Sequence, residues 1–95
     1  MVIGVLKIKL SMDGVSSLKE KRHIVKSIIE RIKSRFNASV AEVDLNDIWK
    51  STIVGVACVS NETAHVDSIL SNIVNFVENE GRAVLVDYST EIIHV

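Results

Sequence analysis

The chain has 95 residues and a formal net charge of −1; 47% of its residues are hydrophobic and 24% are charged. This length predicts a single domain, residues 1–95, with one hydrophobic core. The composition excludes intrinsic disorder and collagen-like repeats. The single cysteine excludes an internal disulfide framework and a cysteine zinc cluster.

A β-strand is predicted over residues 2–12. Residues 2–5 are apolar on both faces, and the second half alternates apolar residues with Lys7, Lys9 and a serine, which indicates one buried face. The two lysines interrupt the apolar stretch, so it resembles neither a signal peptide nor the roughly 20 apolar residues that cross a bilayer. We therefore expect a cytoplasmic protein with no membrane partner.

A long amphipathic helix is predicted over residues 18–36. Ser17 and Glu20 have the spacing of a capping box, in which each side chain accepts a hydrogen bond from the backbone N–H of the other residue. Apolar residues follow at helical spacing and give the helix one buried face.

Two β-strands are predicted next, over residues 38–46 and 50–60, and their short polar connection suits a hairpin. Glu42 and Asp44 are expected on one face of the first of these strands. The second strand is apolar and β-branched on both faces, which is typical of a central strand.

A second helix is predicted with Asn61 or Ser60 as its N-cap and Gly81 as its C-terminal glycine, followed by a last strand over residues 82–95. Four large side chains are expected on one face of that strand: Val84, Val86, Tyr88 and Ile92. The order β-α-β-β-α-β predicts an α+β ferredoxin-like fold, in which two helices cover one face of a four-stranded antiparallel sheet.

Charge is unevenly distributed along this sequence. Residues 1–35 contain nine of the eleven Lys and Arg residues and three acids, a formal charge of +6, whereas residues 36–95 have a formal charge of −7. With about 100° per residue, four basic residues of the first helix fall at roughly 40–100°, while the apolar face centres at about 330°. These four residues, called the basic stripe below, are Lys19, Arg22, Lys26 and Lys33.

A one-sided row of cations can follow a phosphate backbone, so the basic stripe is the candidate nucleic-acid-binding surface, supported by Lys21 and Arg31. One alternative is a solvated helix face whose cations pair locally with Glu20 and Glu30. An acidic protein or a membrane surface is a further alternative. Because the chain has only four aromatic residues, RNA contact is expected to depend on backbone and shape rather than on splayed bases.

Glu42, Asp44 and Trp49 are the candidate partner-interface residues. Together with Asp47, the two acids form an acidic cluster that could bind a hard cation or the basic stripe of a second copy. Alternatively, Glu42 and Asp44 only keep an edge strand from pairing with another sheet. Trp49 is either semi-buried packing or an interface anchor. Because two strands are apolar on both faces and the helices cover one face, we expect a homo-oligomer.

No catalytic constellation is present in the sequence. The three histidines have no metal-ligand spacing, there is no glycine-rich phosphate loop, and Cys58 has no identifiable activating base, so a buried inert thiol is expected. We therefore predict a protein that is not an enzyme, with no cofactor, no metal and no small-molecule substrate.

Four segments resemble the YlxP-like family of small bacterial proteins of unknown function. They are residues 17–22 (SLKEKR), 36–44 (FNASVAEVD), 47–49 (DIW) and 59–61 (VSN). The resemblance covers nearly the whole chain and implies a ferredoxin-like fold, but no catalytic residues. Genes of relatives often lie near those of translation initiation and ribosome-binding factors, so the resemblance implies a role around ribosome maturation or RNA.

The leading hypothesis is therefore a binding module that contacts RNA or the ribosome through its first helix. In this hypothesis Lys19, Lys21 and Arg22 stay solvent-accessible in the first helical turn, where cations oppose the helix dipole and an anionic partner would compensate them. The alternative is a homo-oligomeric protein-interaction module with no nucleic-acid role.

Overall fold

A computed structural model describes residues 1–95, and its elements follow the predicted order. They are β1 (Val2–Ser11), α1 (Leu18–Arg35), β2 (Ser39–Asp44), β3 (Ser51–Ser60), α2 (Thr63–Glu78) and β4 (Val84–His94). The strands form one antiparallel sheet in the order β2-β3-β1-β4, and both helices pack on the same face of it. The predicted ferredoxin-like α+β fold is confirmed.

Helix α1 begins at the predicted cap, with one difference in the hydrogen bonds. The Ser17 hydroxyl accepts a bond of 3.1 Å from the Glu20 backbone N–H, as in a capping box. The Glu20 carboxylate, however, accepts from the backbone N–H and the hydroxyl of Ser16, at 3.3 and 2.8 Å, rather than from Ser17. The side-chain hydrogen bonds of the cap therefore hold both Ser16 and Ser17 in place before the helix.

The hydrophobic core lies between the helices and one face of the sheet. Alternate residues of β1, beginning at Val2, point into it, and Leu6 and Ile8 are completely buried. At Gly4 the missing side chain allows α2 to approach β1 closely, because a Cβ atom there would overlap Val66 Cγ1 and lie 3.1 Å from Leu70 Cδ1. Helix α2 thus packs directly on the central strand pair.

The last strand differs from the prediction in which side chains share a face. Its register against β1 shifts between Lys9 and Leu10. Tyr88 and Ile92 lie opposite Ile8 and Gly4 and face the helices as predicted, whereas Val84 lies opposite Ser11, on the other face. Val86 is the extra residue at this bulge. The prediction is wrong for the two valines because the bulge breaks the alternation of period two.

The second face of the sheet carries no helix and is called the open face below. It displays apolar side chains of β1 and β3, among them Ile3 and Val59, and the β2 residue Val43 lies against Gly55 there. Val43 and Val59 are more than half exposed. Neither helix combines the length and the apolar character that crossing a lipid bilayer requires.

Candidate nucleic-acid interface

Three lysines of the basic stripe form a straight row on the solvent side of α1. Lys19, Lys26 and Lys33 follow one another at intervals of seven residues, or about 10.5 Å along the helix axis. All three are exposed, and none forms an ion pair with a carboxylate of the chain. The row therefore carries three cations that no carboxylate of the chain neutralises.

Arg22, the fourth member of the basic stripe, forms a loose ion pair with the loop that follows β2. Its Nη2 atom lies 3.4 Å from Oδ1 of Asp47, and the two side chains are 60% and 88% exposed. Exposed pairs of this kind contribute little stability, so a phosphate could replace the carboxylate at small cost.

The arginines on the other flank of α1 are engaged with α2. Arg31 lies 3.3 Å from a carboxylate oxygen of Glu80, and the guanidinium groups of Arg31 and Arg35 lie 5.3 and 4.7 Å from the centre of the Phe76 ring. These contacts are an ion pair and two cation–π interactions. The structure therefore places Arg31 away from the basic stripe and in the packing between the helices.

Lys21 is completely buried, so the expectation that it is solvent-accessible and contacts nucleic acid is wrong. Its Nζ atom donates to Glu42 Oε2 at 2.6 Å and to the carbonyl oxygens of Leu45 and Asn46 at 2.9 and 3.1 Å. All three ammonium donors are thereby used. The hydroxyl of Thr52 also donates to Glu42 Oε2. These groups form a buried polar network between α1, β2 and β3.

The two acids predicted on one face of β2 lie on opposite faces, because a bulge separates them. Glu42 lies opposite Val54 and faces the helices, whereas Asp44 lies opposite Ile53 on the open face, because the register shifts between them and Val43 is the extra residue. The Glu42 side chain is only 15% exposed and is bound by Lys21. Glu42 is therefore not available as the partner-interface residue that was predicted.

Asp44 and Trp49 remain accessible at the ends of the loop between β2 and β3, residues 45–50. The Asp44 carboxylate accepts from the Leu45 backbone N–H at 2.8 Å, and Leu45 adopts the left-handed conformation (φ 59°), which is uncommon for residues other than glycine. Trp49 is 50% exposed, and its neighbour Ile48 is 51% exposed. The loop therefore presents two large apolar side chains to solvent.

The remaining metal-ligating and thiol side chains are dispersed or buried. No group of three or more His, Cys, Asp or Glu side chains is placed to hold a metal ion. Cys58 is buried, as expected; burial raises the pKa of its thiol, and a hydrogen bond with the backbone of Gly4 offsets part of the rise. Little thiolate would form at neutral pH, so the thiol is a poor nucleophile.

Comparison with known families identifies the group to which the chain is related. The model of a family described as "Protein of unknown function (DUF503)" matches residues 3–90. The chain belongs to this family. It is also 31% identical, over 78 residues, to "Uncharacterized protein YlxP" of Bacillus subtilis (strain 168), an alignment that covers 82% of this chain and 85% of that protein. The predicted resemblance to the YlxP-like family is confirmed.

Two solved structures show limited similarity to this DUF503 chain. The de novo designed protein Foldit4 has a TM-score of 0.48 at 13% identity, with 98% of both chains covered. LarC2, described as the C-terminal domain of a cyclometallase involved in the synthesis of the NPN cofactor of lactate racemase, has a TM-score of 0.41 at 9% identity, with 100% of this chain and 59% of that chain covered.

Proposed function

We propose that this DUF503 protein is a non-enzymatic module that binds RNA through the exposed face of α1. The observation that carries the proposal is the row of Lys19, Lys26 and Lys33, which no carboxylate of the chain neutralises. When the lysines of this row contact phosphates, they displace the small cations that are condensed on the RNA. The release of these counterions favours binding to any RNA backbone. The ribosome is the RNA-rich target that the family resemblance implies.

Two cations of the basic stripe, Lys19 and Lys26, lie where the helix itself does not compensate them. Lys19 lies in the first turn, where a cation opposes the helix dipole. Glu30 follows Lys26 by four residues, which is the less favourable order for an ion pair on a helix, and no pair forms. A phosphate backbone along the basic stripe would compensate these cations.

The test compares two double variants with the same change in charge. Lys26→Gln/Lys33→Gln is expected to remove two phosphate contacts with a labelled single-stranded RNA. Each contact contributes about 0.7 to the slope of log K against log salt, so the loss of two contacts should weaken binding about 25-fold at about 0.1 M salt. The control, Arg35→Gln/Arg82→Gln, alters two exposed arginines outside the basic stripe and should leave affinity nearly unchanged. Fluorescence anisotropy across a salt series measures the affinity of each variant and its dependence on salt.

Equal losses in the two double variants would contradict the proposal, because they would show a response to net charge alone. Binding whose affinity does not change with salt would contradict it as well.

A second candidate function is self-association through the open face. All four strands contribute apolar side chains to this face, and Gly55 and two alanines leave a shallow apolar depression between them. We propose a second copy as the occupant, because the same face carries Lys7 and Lys9 beside Asp87 and Glu91. A twofold axis can place the lysines of one protomer on the carboxylates of its partner.

Sedimentation analysis tests this second candidate. The protein is expected to sediment at micromolar concentration with twice the 10.5 kDa mass of the chain. Val59→Glu, on the open face, should yield the monomer, because it would bury an unpaired charge in the interface. Ile48→Glu, an equally large change at an exposed side chain of the loop, should leave the dimer intact. A monomeric wild-type protein would remove this candidate.

A further inference from the structure

We infer that Trp49 provides a base-stacking surface beside the basic stripe, so that the RNA bound by α1 is single-stranded where it passes the loop 45–50. The inference rests on the proposed RNA binding and adds the class of RNA. The small number of aromatic residues predicted RNA contact through backbone and shape, whereas stacking on Trp49 adds a contact with the bases.

The loop that carries Trp49 is attached to α1 and to the residue that follows β1 by hydrogen bonds to its carbonyl groups. The Lys21 ammonium holds the carbonyl oxygens of Leu45 and Asn46. At the other end of the loop, the Met12 backbone N–H donates to the carbonyl oxygen of Lys50 at 2.9 Å. A half-exposed indole on so short and restrained a loop loses little conformational freedom when it binds a ligand.

The same loop connects Trp49 to the basic stripe. Asp47, two residues before Trp49, is the ion-pair partner of Arg22. Lys50, the residue after Trp49, is exposed and forms no ion pair. The indole thus lies between Lys50 and the Asp47 carboxylate that binds Arg22. A nucleotide could therefore place its phosphate on Arg22 or Lys50 and its base on Trp49.

The other aromatic residues are not placed to serve this purpose. Phe36 and Phe76 pack edge to face against each other, with ring centres 6.2 Å apart. Tyr88 lies on the helix side of β4, opposite Ile8. The open face of the sheet, where RNA-binding sheets of similar topology carry stacking aromatics, has none. Trp49 is the exposed aromatic side chain whose loop contacts the basic stripe, through the Asp47–Arg22 ion pair.

Because Trp49 is the only tryptophan, its fluorescence reports directly on stacking. Three probes separate the contributions: a short adenine-only RNA strand, a duplex RNA of equal length, and inorganic polyphosphate. The single strand is expected to quench the fluorescence, since a base stacks on the indole. Polyphosphate is expected to bind and to compete with the strand without quenching, and the duplex to quench much less.

Substitutions provide the second measurement. Trp49→Ala is expected to weaken binding of the single strand about tenfold and to leave the salt slope unchanged, because stacking releases no counterions. Trp49→Phe should retain most of the affinity. The control is Ile48→Ala, a neighbour of equal exposure without a π surface, which should bind like the wild type. Thermal unfolding of each variant verifies that the fold is retained.

The outcomes distinguish this inference from the proposed function. If the lysine variants of the basic stripe lose affinity while Trp49→Ala binds like the wild type, the inference is overturned and RNA binding by α1 stands. Equal quenching by polyphosphate and by the single strand would also overturn it. If no RNA binds at all, both the proposed function and the inference fail.

Discussion

Replacing Lys21 with methionine is expected to lower the free energy of unfolding by about 3 kcal/mol, although methionine has a similar length and is apolar. The substitution leaves the Glu42 carboxylate without its cation and the carbonyl oxygens of Leu45 and Asn46 without a donor. Breaking a buried ion pair costs about 3–5 kcal/mol, and the lower end applies here because Glu42 is 15% exposed. In a domain of this size the melting temperature should fall by roughly 12–24 °C.

Two comparisons show that the loss comes from the unpaired carboxylate. Lys26→Met, an exposed lysine of the same helix, should change the stability by less than about 0.5 kcal/mol. In Lys21→Met/Glu42→Leu both charges are absent, and the double variant should be more stable than Lys21→Met alone. Urea denaturation measures all three variants. A loss below about 1 kcal/mol for Lys21→Met would show that the network does not stabilise the fold.

Replacing Gly4 with alanine is expected to destabilise the protein by about 2 kcal/mol, because the new methyl group enters a space already filled by α2. It would overlap Val66 Cγ1 and lie 3.2 Å from Cys58 Sγ. Val66 is β-branched and completely buried, so it cannot rotate away cheaply, and α2 must move outward from β1. Thermal unfolding followed by circular dichroism measures the loss.

Gly14 offers a matched control for this substitution. A Cβ atom there would meet no heavy atom within 4 Å, and its φ is not in the left-handed region. Gly14→Ala should therefore be neutral or stabilising by up to about 1 kcal/mol, since alanine restricts the unfolded chain. In addition, Val66→Ala should recover part of the stability of Gly4→Ala by vacating the overlapped volume. If the two glycine variants were equally stable, close packing of α2 on β1 would be disproved.

Most of the fold could be predicted because each element has its own local signal. The Ser17 cap and the apolar spacing of α1 are contained within one helix length, and the alternation in β1 is equally local. The face exchange of Val84 could not be predicted in this way. The bulges next to Leu10 and at Val43 depend on the register between strands, and no single strand contains that information.

Only those parts of the candidate site that have a local signal in the sequence could be predicted. The row of Lys19, Lys26 and Lys33 follows from helical periodicity alone. The burial of Lys21 had a signal, since its position at about 300° lies within the apolar face that centres at about 330°. Its partner, however, is Glu42, in a different element, and only the packing of α1 on β2 brings the two together. A long lysine stem can reach a polar group from an apolar position, which periodicity alone does not show.

The position of β1 between β3 and β4 has a consequence for how the chain acquires its structure. Val2 pairs with His94 and Ser11 with Val84, so one whole edge of β1 finds its partner at a distance of more than seventy residues along the chain. During synthesis that edge stays unpaired until β4 has left the ribosome. Non-local pairing slows folding, so we expect a rate typical of mixed α/β domains rather than of helical bundles of equal length.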